Sequence, residues 1–593
     1  MLNSLADRLM RSALLRHLLF LVAALFAVVL IGYHFGTFDQ SVHIPYLKKS
    51  VDPSLYPGDK FLDLRFVHYS FFWFIFQPFY RLGILEPVMF AVHLLATYLT
   101  FWMLWELSIT LFDNPLAALI TVMAFVFPHV GLPGFLAIEF SLLNRTFVFP
   151  FLLAAFVLYL RRRYLLTFLL LGLMYNLHAI SVGFVAAMLL LDALLRWREI
   201  GWRKLLPALT LFLLGASPVL VWKVNHSGID LTLRPEILDV AARGTLGTIY
   251  YLFSDQPYIL FDTLNGLGTL ALFLIGYRAA PSAQHNRAVI HFVYAIGLIV
   301  LANVITTYLL PVTILLQMQI LRAAVFLLPF GYLYFANVLA KGYQDRHPDE
   351  GTLSALFVAF ITWLIPIVPC LVWLGRGWLG KRRWRQIAAA VAVYGGMVVV
   401  MVATRLSGLW SPGIHVYGPR TPWVDVQLWA REHTPPETCF ITPPHIFSNY
   451  VPGWRVFSER PTTATLTELM EMPFNPEYLD DWVADFEQVA PGAIARFDYS
   501  TPLAQAVTAE AYYSLTEADI IRVARRYGAS YLVVEKPHRY DFPIAYENEG
   551  FLVYDLRGVL GETSHRLDRA SLASASDPRP EKIPQPYHDY QYA

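Results

Sequence analysis

Asp39 and His43 stand four residues apart where the first long apolar run gives way to polar sequence, in "GYHFGTFDQSVHIPYL" from Gly32 to Leu47. If Asp39 to Ile44 is a helical turn ahead of Pro45, the carboxylate and the imidazole share one face at the i,i+4 spacing. A carboxylate there can take a proton from a hydroxyl, and the imidazole can orient it or hydrogen-bond that hydroxyl. Asp39 is equally suited to cap a helix opening at Gln40, and the two roles are compatible.

Three further groups could work with that pair. In "IEFSLLNRTFVF", Glu139 lies one and a half helical turns before Arg145. An ionisable pair at a membrane boundary reads as functional, or as an ion pair that holds a hairpin together. Arg322, in "LLQMQILRAAVFLLP", starts a helix inside a long apolar region, where a charge is costly. A lipid phosphate would satisfy it; snorkelling to the interface is the alternative. His178, in "YNLHAIS", falls between two short apolar halves and can bind phosphate, carry a proton, or be a hydrogen-bonded loop histidine.

The elements that position these residues are membrane helices. Of 593 residues 56% are hydrophobic and 15% charged, a balance too apolar for a soluble chain. Net charge is +1, with basic residues gathered between apolar runs and acidic ones after residue 420, so nucleic-acid binding is disfavoured. The two cysteines, Cys370 in an apolar segment and Cys439 in polar sequence, do not suggest a disulfide framework. Arg8, Arg11 and Arg16 precede a run from His17 to Tyr33 with no cleavage pattern after it, which predicts a retained signal anchor.

Further spans of about 17–25 apolar residues, enough for a hydrocarbon core of ~30 Å, are predicted to begin near Glu86, Leu116, Thr146, Tyr164, Ile180, Leu205, Ile259, Val289, Leu321, Leu353 and Ile387. With the N-terminal arginines cytoplasmic, alternate crossings put Arg161 to Arg163, then Arg196, Arg198, Arg203 and Lys204, then Arg278 and Arg287 on the same side. The run from Lys381 to Arg385 obeys the rule only if Ala355 to Leu374, with Pro366 and Pro369, is a broken or re-entrant hairpin. The last helix then exits outward. A complete extra crossing, with a cytoplasmic C-terminal domain, is the alternative.

The chain therefore divides into a multi-spanning part over 1–405 with a large first outer loop over 36–85, a soluble α/β domain over 406–570, and an extended tail over 571–593. The aromatic stretch Phe66 to Tyr80 fits a helix in the headgroup region or an extra half-helix of the bundle. In the soluble domain "WVDVQLWAREH" and "ADIIRVARRYGA" read as helices, the second stopped at Gly528; "TCFITPP", "SYLVVEK" and "FLVYDLR" read as strands. There is no glycine-rich phosphate loop, no paired-cysteine zinc spacing and no nucleophile elbow, and no metal or cofactor is expected. The proline-rich tail, with its aromatic end, can also serve as a docking peptide for a protein partner.

A first membrane helix, an outer loop that opens on an acid and continues as short helices, paired short helices and a terminal α/β domain together resemble the GT-C superfamily of membrane glycosyltransferases. The stretches "FDQSVHIPYLKKSVDPSLYPGDKF", "LWAREHTPPETCFITPPH", "VFSERPTT" and "RYGASYLVVEK" resemble an uncharacterised bacterial group with that architecture. The resemblance implies transfer of a sugar from a polyprenyl-phosphate donor to an extracytoplasmic acceptor, in the inner membrane of the cell envelope. The motif here is "DQ" where such enzymes commonly carry "DE" or D-x-D, which argues against a metal-assisted step.

Inverting transfer through an oxocarbenium-like transition state needs one base for the acceptor hydroxyl and cationic stabilisation of the leaving phosphate. Asp39 with His43 is the expected base, and Arg145, Glu139, His178 and Arg322 are the expected substrate-binding groups. Two other classes remain: a noncatalytic membrane subunit held in a larger assembly, and a transporter of a lipid-linked sugar. The latter should show internal repeats and substrate residues near the bilayer midplane, and no repeat is evident.

Overall fold

The computed structural model describes residues 2–64, 70–226, 230–280, 285–345, 350–363, 365–380 and 382–561. Its first part is a largely α-helical membrane region. Among the described residues seven helices are long and apolar enough to cross a bilayer: Ala13–Ile31, Leu85–Phe112, Trp202–Asn225, Pro257–Ala279, Asn286–Tyr308, Thr313–Asp345 and Arg383–Leu406. The Thr313–Asp345 segment is the centre of the bundle, with 94% of its most apolar window buried, against 6% for Arg383–Leu406 at the periphery.

Several expected spans are shorter than predicted. Tyr164–Tyr175 has 12 residues and Pro115–Phe125 has 11, which at 1.5 Å per residue reach only about 16–18 Å. At the end of the first, the Asn176 amide donates to that helix's own Gly172 and Leu173 carbonyls at 3.3 and 3.2 Å and to the neighbouring Gly215 carbonyl at 2.7 Å, while its oxygen accepts from Val219 N at 3.2 Å. Gly172 and Gly215 let those two helices touch backbone to backbone. A Cβ on Gly172 would lie 2.5 Å from the Phe212 carbonyl oxygen, the close approach that small residues permit between membrane helices. The proline-broken segment forms two short apolar helices, Thr352–Thr362 and Ile367–Leu379, packed on one another.

The two ends of the bundle differ in chemistry. At one, Arg161 Nη2 donates to Glu106 at 2.6 Å and Arg287 Nη1 to Glu199 at 2.6 Å. Nearby, the buried Asp192 accepts from Tyr159 Oη at 2.7 Å and Arg196 Nε at 2.9 Å, with His291 Nδ1 also at 2.7 Å. These contacts gather the basic connections on one side. The opposite end carries the first large loop and the C-terminal part. There Tyr33–His34, just after the first span, pairs in parallel with Ile414–His415, just after the last.

The C-terminal part is built on a small four-stranded mixed sheet in the order Cys439–Ile441, Ala529–Glu535, Phe551–Asp555, Ile544–Glu547, with only the first pair parallel. Pro422–His433 opens on a Thr421 cap. Glu517–Tyr527 opens on a capping box between Thr516 and Asp519 and is ended by Gly528 at φ 62°, a conformation glycine adopts without cost. The tail predicted over 571–593 lies outside the described residues.

The first loop is part of the same core. Val42, Tyr56 and Phe61 pack with Leu466, Trp482 and Phe486. Arg455 Nε donates to Asp59 at 2.6 Å and its Nη2 to Glu468 at 2.9 Å, all three side chains buried. Ser41 Oγ accepts from Gly453 N at 3.0 Å, and buried Lys48 donates to Glu459 at 2.6 Å. Of the aromatic stretch, residues 66–69 lie outside the described set. Phe72, Trp73 and Phe76 are buried against Leu142 and Leu143, so these rings pack into the bundle rather than lying at a water boundary.

Candidate functional site

Gln40, the second residue of the "DQ" pair, sets the position of the first. Its fully buried side chain accepts from Gly36 N at 2.7 Å and donates to the Leu142 carbonyl at 2.7 Å. The start of the helix Gln40–Val51 is thereby fixed to the segment leading into the helix Asn144–Leu160. The helix Gln40–Val51 runs through Pro45 instead of stopping before it, and His43 N bonds the Asp39 carbonyl at 3.1 Å, so Asp39 and His43 are stacked one turn apart.

Asp39 occupies the N-cap position but its side chain makes no cap hydrogen bond. Its carboxylate accepts from Arg145 Nη1. Arg145 grips Glu139 with its other donors, Nε to Oε1 at 2.6 Å and Nη2 to Oε2 at 2.8 Å, the bidentate geometry that a planar guanidinium favours. The predicted helical spacing of Glu139 is corrected: the helix begins at Asn144, and Glu139 reaches Arg145 from irregular chain after a two-stranded hairpin, Val130–Gly131 with Phe135–Leu136.

Arg322 arrives from the bundle's central segment. After Met318 the helix is interrupted at Gln319, φ 47°, and a 3₁₀ turn over Ile320–Phe326 carries the arginine. Its buried Nε has no hydrogen-bond partner, and the guanidinium makes no hydrogen bond or ion pair among the described residues. It lies over the Phe135 ring, 4.7 Å from the centroid; Arg145 lies over the same ring at 5.0 Å. His178 caps the helix Ala179–Leu195, with Nδ1 accepting from Ser181 N at 3.4 Å.

All six predicted site residues, Asp39, His43, Glu139, Arg145, His178 and Arg322, line one cavity of about 940 Å³. Part of its wall is apolar and comes from membrane helices, including Leu30, Ile31, Val219 and Met401. The C-terminal part contributes Tyr450, Glu471 and Tyr499. Sequence reasoning missed Phe135, Glu471, Lys223 and Asp262. Asp262 had a signal, a lone acid within an apolar run; Glu471, in "TELMEMPF", had none. Asp262 explains one glycine: Gly134 has φ +86°, and a Cβ there would meet the Asp262 carboxylate at 2.7 Å.

The charges around Asp39 and Glu471 drive these two carboxyls apart. Burial alone would raise the Asp39 pKa, but Arg145, Arg322 and His43 outweigh it and hold the carboxyl below its usual range. Burial, and then the Asp39 charge, push Glu471 up to about 8 against the pull of Arg322. Burial, reinforced by Arg145 and opposed by Asp39, lowers His43 to about 4. His43 Nε2 stands 4.0 Å from Glu471 Oε1, its ring stacked on Trp73 with centroids 4.8 Å apart. At neutral pH the site thus sets an ionised carboxylate beside a protonated one, the separation that divides base from acid. Among the described residues no group of three His, Cys, Asp or Glu side chains is arranged to hold a metal ion.

No protein-family model matches the chain, and no curated protein matches it. Among solved structures it is similar to the arabinofuranosyltransferase AftD from Mycobacteria, seen by single-particle cryo-EM, at 14% identity and a TM-score of 0.40. The match covers 88% of this chain and 35% of that one, so the chain spans about a third of the length of the protein it resembles. A likeness at that level leaves the chemistry of the site to be read from its own residues.

Proposed function

We propose that the chain is a GT-C-type membrane glycosyltransferase that moves a sugar from a polyprenyl-phosphate donor to an extracytoplasmic acceptor hydroxyl with inversion. The observation that carries this reading is Arg322, whose buried Nε has no hydrogen-bond partner and whose guanidinium makes no hydrogen bond or ion pair among the described residues, in the cavity where Arg145 bridges Asp39 and Glu139. A phosphate anion supplies the acceptor that such a buried donor lacks.

In this reading the donor phosphate sits against Arg322 and shares Arg145, and the lipid chain follows the apolar wall at Leu30, Ile31 and Met401. The acceptor oxygen forms a bond to the anomeric carbon as the bond from that carbon to the phosphate oxygen breaks. The electron pair leaves on the phosphate, and the acceptor proton passes to Asp39. As the phosphate draws Arg145 toward itself, Asp39 loses part of the interaction that depresses its basicity. His43 orients this end of the site, and His178 and Glu139 shape the donor side. The basic end of the bundle faces the cytoplasm under the positive-inside rule, which puts the cavity and the C-terminal part outside the inner membrane.

The ion pair that already engages Asp39 favours a second reading, a noncatalytic subunit in which this cluster only holds the fold. Purified protein in nanodiscs, offered labelled polyprenyl-phosphate sugars and a panel of hydroxyl acceptors, separates the two. Transfer with inverted anomeric configuration supports the enzyme. No transfer from any donor, with the fold intact, supports the subunit.

A further inference from the structure

A second cavity, of about 660 Å³, lies at the opposite, basic end of the bundle. We infer that it binds the phosphate of an anionic headgroup. Its lining includes Asp113, Arg161, Arg162, His285, Asn337 and Lys341. Arg161 is committed to the fold, donating to Glu106 at 2.6 Å and Thr110 at 3.1 Å. Arg162 and Lys341 differ: neither side chain makes a hydrogen bond or ion pair among the described residues. Asn337, 1% exposed on the central helix, has a buried side-chain oxygen with no hydrogen-bond partner.

Arg162 also sits in a costly backbone state. It has φ 60° in the turn that closes Asn144–Leu160, where its N–H bonds the Tyr159 carbonyl at 2.9 Å and Arg163 N bonds that of Leu158 at 2.8 Å. Glycine or asparagine occupies such a position more cheaply. An arginine there, lining one cavity with a lysine whose side chain has no described partner, has the arrangement of a site for an anion. The cationic field is felt by a neighbour: burial first, then Arg162 and Arg196, lower the pKa of His285. Asp113, which ends Leu85–Phe112 at φ 48°, is the single carboxylate among the described lining residues and opposes the anion.

The ligand class follows from this geometry. A phosphodiester accepts from Arg162 and Lys341 with one negative charge, and the Asn337 amide is placed to bond a hydroxyl carried by the headgroup. The pocket opens at the ends of helices that cross the bilayer, the level at which phospholipid headgroups lie, and basic pockets between helices on this side suit them. The site is separate from the proposed transfer chemistry and does not depend on it.

The test uses the full chain in phosphatidylcholine nanodiscs, titrated with short-chain phosphatidylglycerol or with inorganic phosphate and read by native mass spectrometry. Phosphatidylglycerol is expected to bind saturably. Affinity should fall about tenfold in Lys341→Gln and in Arg162→Asn, which keeps a residue tolerant of the left-handed backbone. Asp113→Asn, also tolerant of its backbone, should strengthen binding. The same pattern with inorganic phosphate would identify a soluble phosphate as the ligand. If neither anion distinguishes the wild type from Lys341→Gln and Asp113→Asn, the inference is overturned, whether or not Arg162→Asn folds.

Discussion

Arg145 Nη1 donates to the Asp39 carboxylate although the two residues are 106 positions apart. The contact exists because Gln40, the residue after Asp39, is tied to the Leu142 carbonyl. Position of the acid and position of the cation are therefore one structural fact, and consequences follow for each partner.

Arg322→Gln should separate binding from folding. Losing a charge-assisted contact to phosphate costs about 1.5–3 kcal/mol, roughly a 10–100-fold loss of affinity for a short-chain polyprenyl phosphate. Thermal stability should change little, since the guanidinium makes no hydrogen bond or ion pair with a described residue and its attraction to Asp39 is offset by repulsion from Arg145. A variant that unfolds while wild type does not, or one that binds the lipid as well as wild type, contradicts the assignment.

Arg145→Gln should do the opposite and destabilise the protein by about 3–5 kcal/mol, because it leaves Asp39 and Glu139 as two adjacent, largely buried carboxylates. Adding Asp39→Asn should recover a large part of the loss. Unfolding midpoints of the single and double variants measure this directly; purely additive effects would show that the two residues are not coupled.

Glu471 makes stability fall as pH rises. Its folded pKa of about 8 exceeds the ordinary 4.5, so between those values the folded state holds a proton that the unfolded state has released. That contribution is complete below about pH 4.5 and is lost as pH passes 8. His43 acts in the reverse direction: lowered from 6.5 to about 4, it costs stability as pH falls through that interval. Melting curves of Glu471→Gln should lose the decline toward pH 8 and keep the one at acid pH. An unchanged profile would place the titration elsewhere.

Arg455 joins Asp59 of the first loop to Glu468 of the C-terminal part inside a shared core. Arg455→Ala should cost about 3–5 kcal/mol by stranding both acids. Limited proteolysis should then cut near residues 52–64 before it cuts the membrane helices. Wild-type resistance in that segment would mean the loop is held by its remaining contacts, the apolar core and the Lys48–Glu459 and Lys60–Asp485 pairs.

The elements whose local rules agree with their surroundings were readable from sequence. Glu517–Tyr527 carries its own cap and its own glycine stop, and Arg322 stood out because a charge in an apolar run has no local explanation. Helix lengths were less legible, since Tyr164–Tyr175 ends where Asn176 reaches a helix some 40 residues on, a bond no periodicity records. The short-range reading of Glu139 and Arg145 brought the right pair together through the wrong geometry. Phe135, against which both arginines lie, and Glu471 owe their places to long-range packing and had no signature of their own.

Sugar transfer by Asp39→Asn beside wild type is the most direct test, because the amide keeps the shape of the side chain and removes its capacity to accept a proton. With Arg322 and Arg145 in place, the variant should still bind polyprenyl-phosphate sugar, while transfer to the acceptor falls by at least two orders of magnitude. Equal transfer by the two proteins would contradict the role given to Asp39.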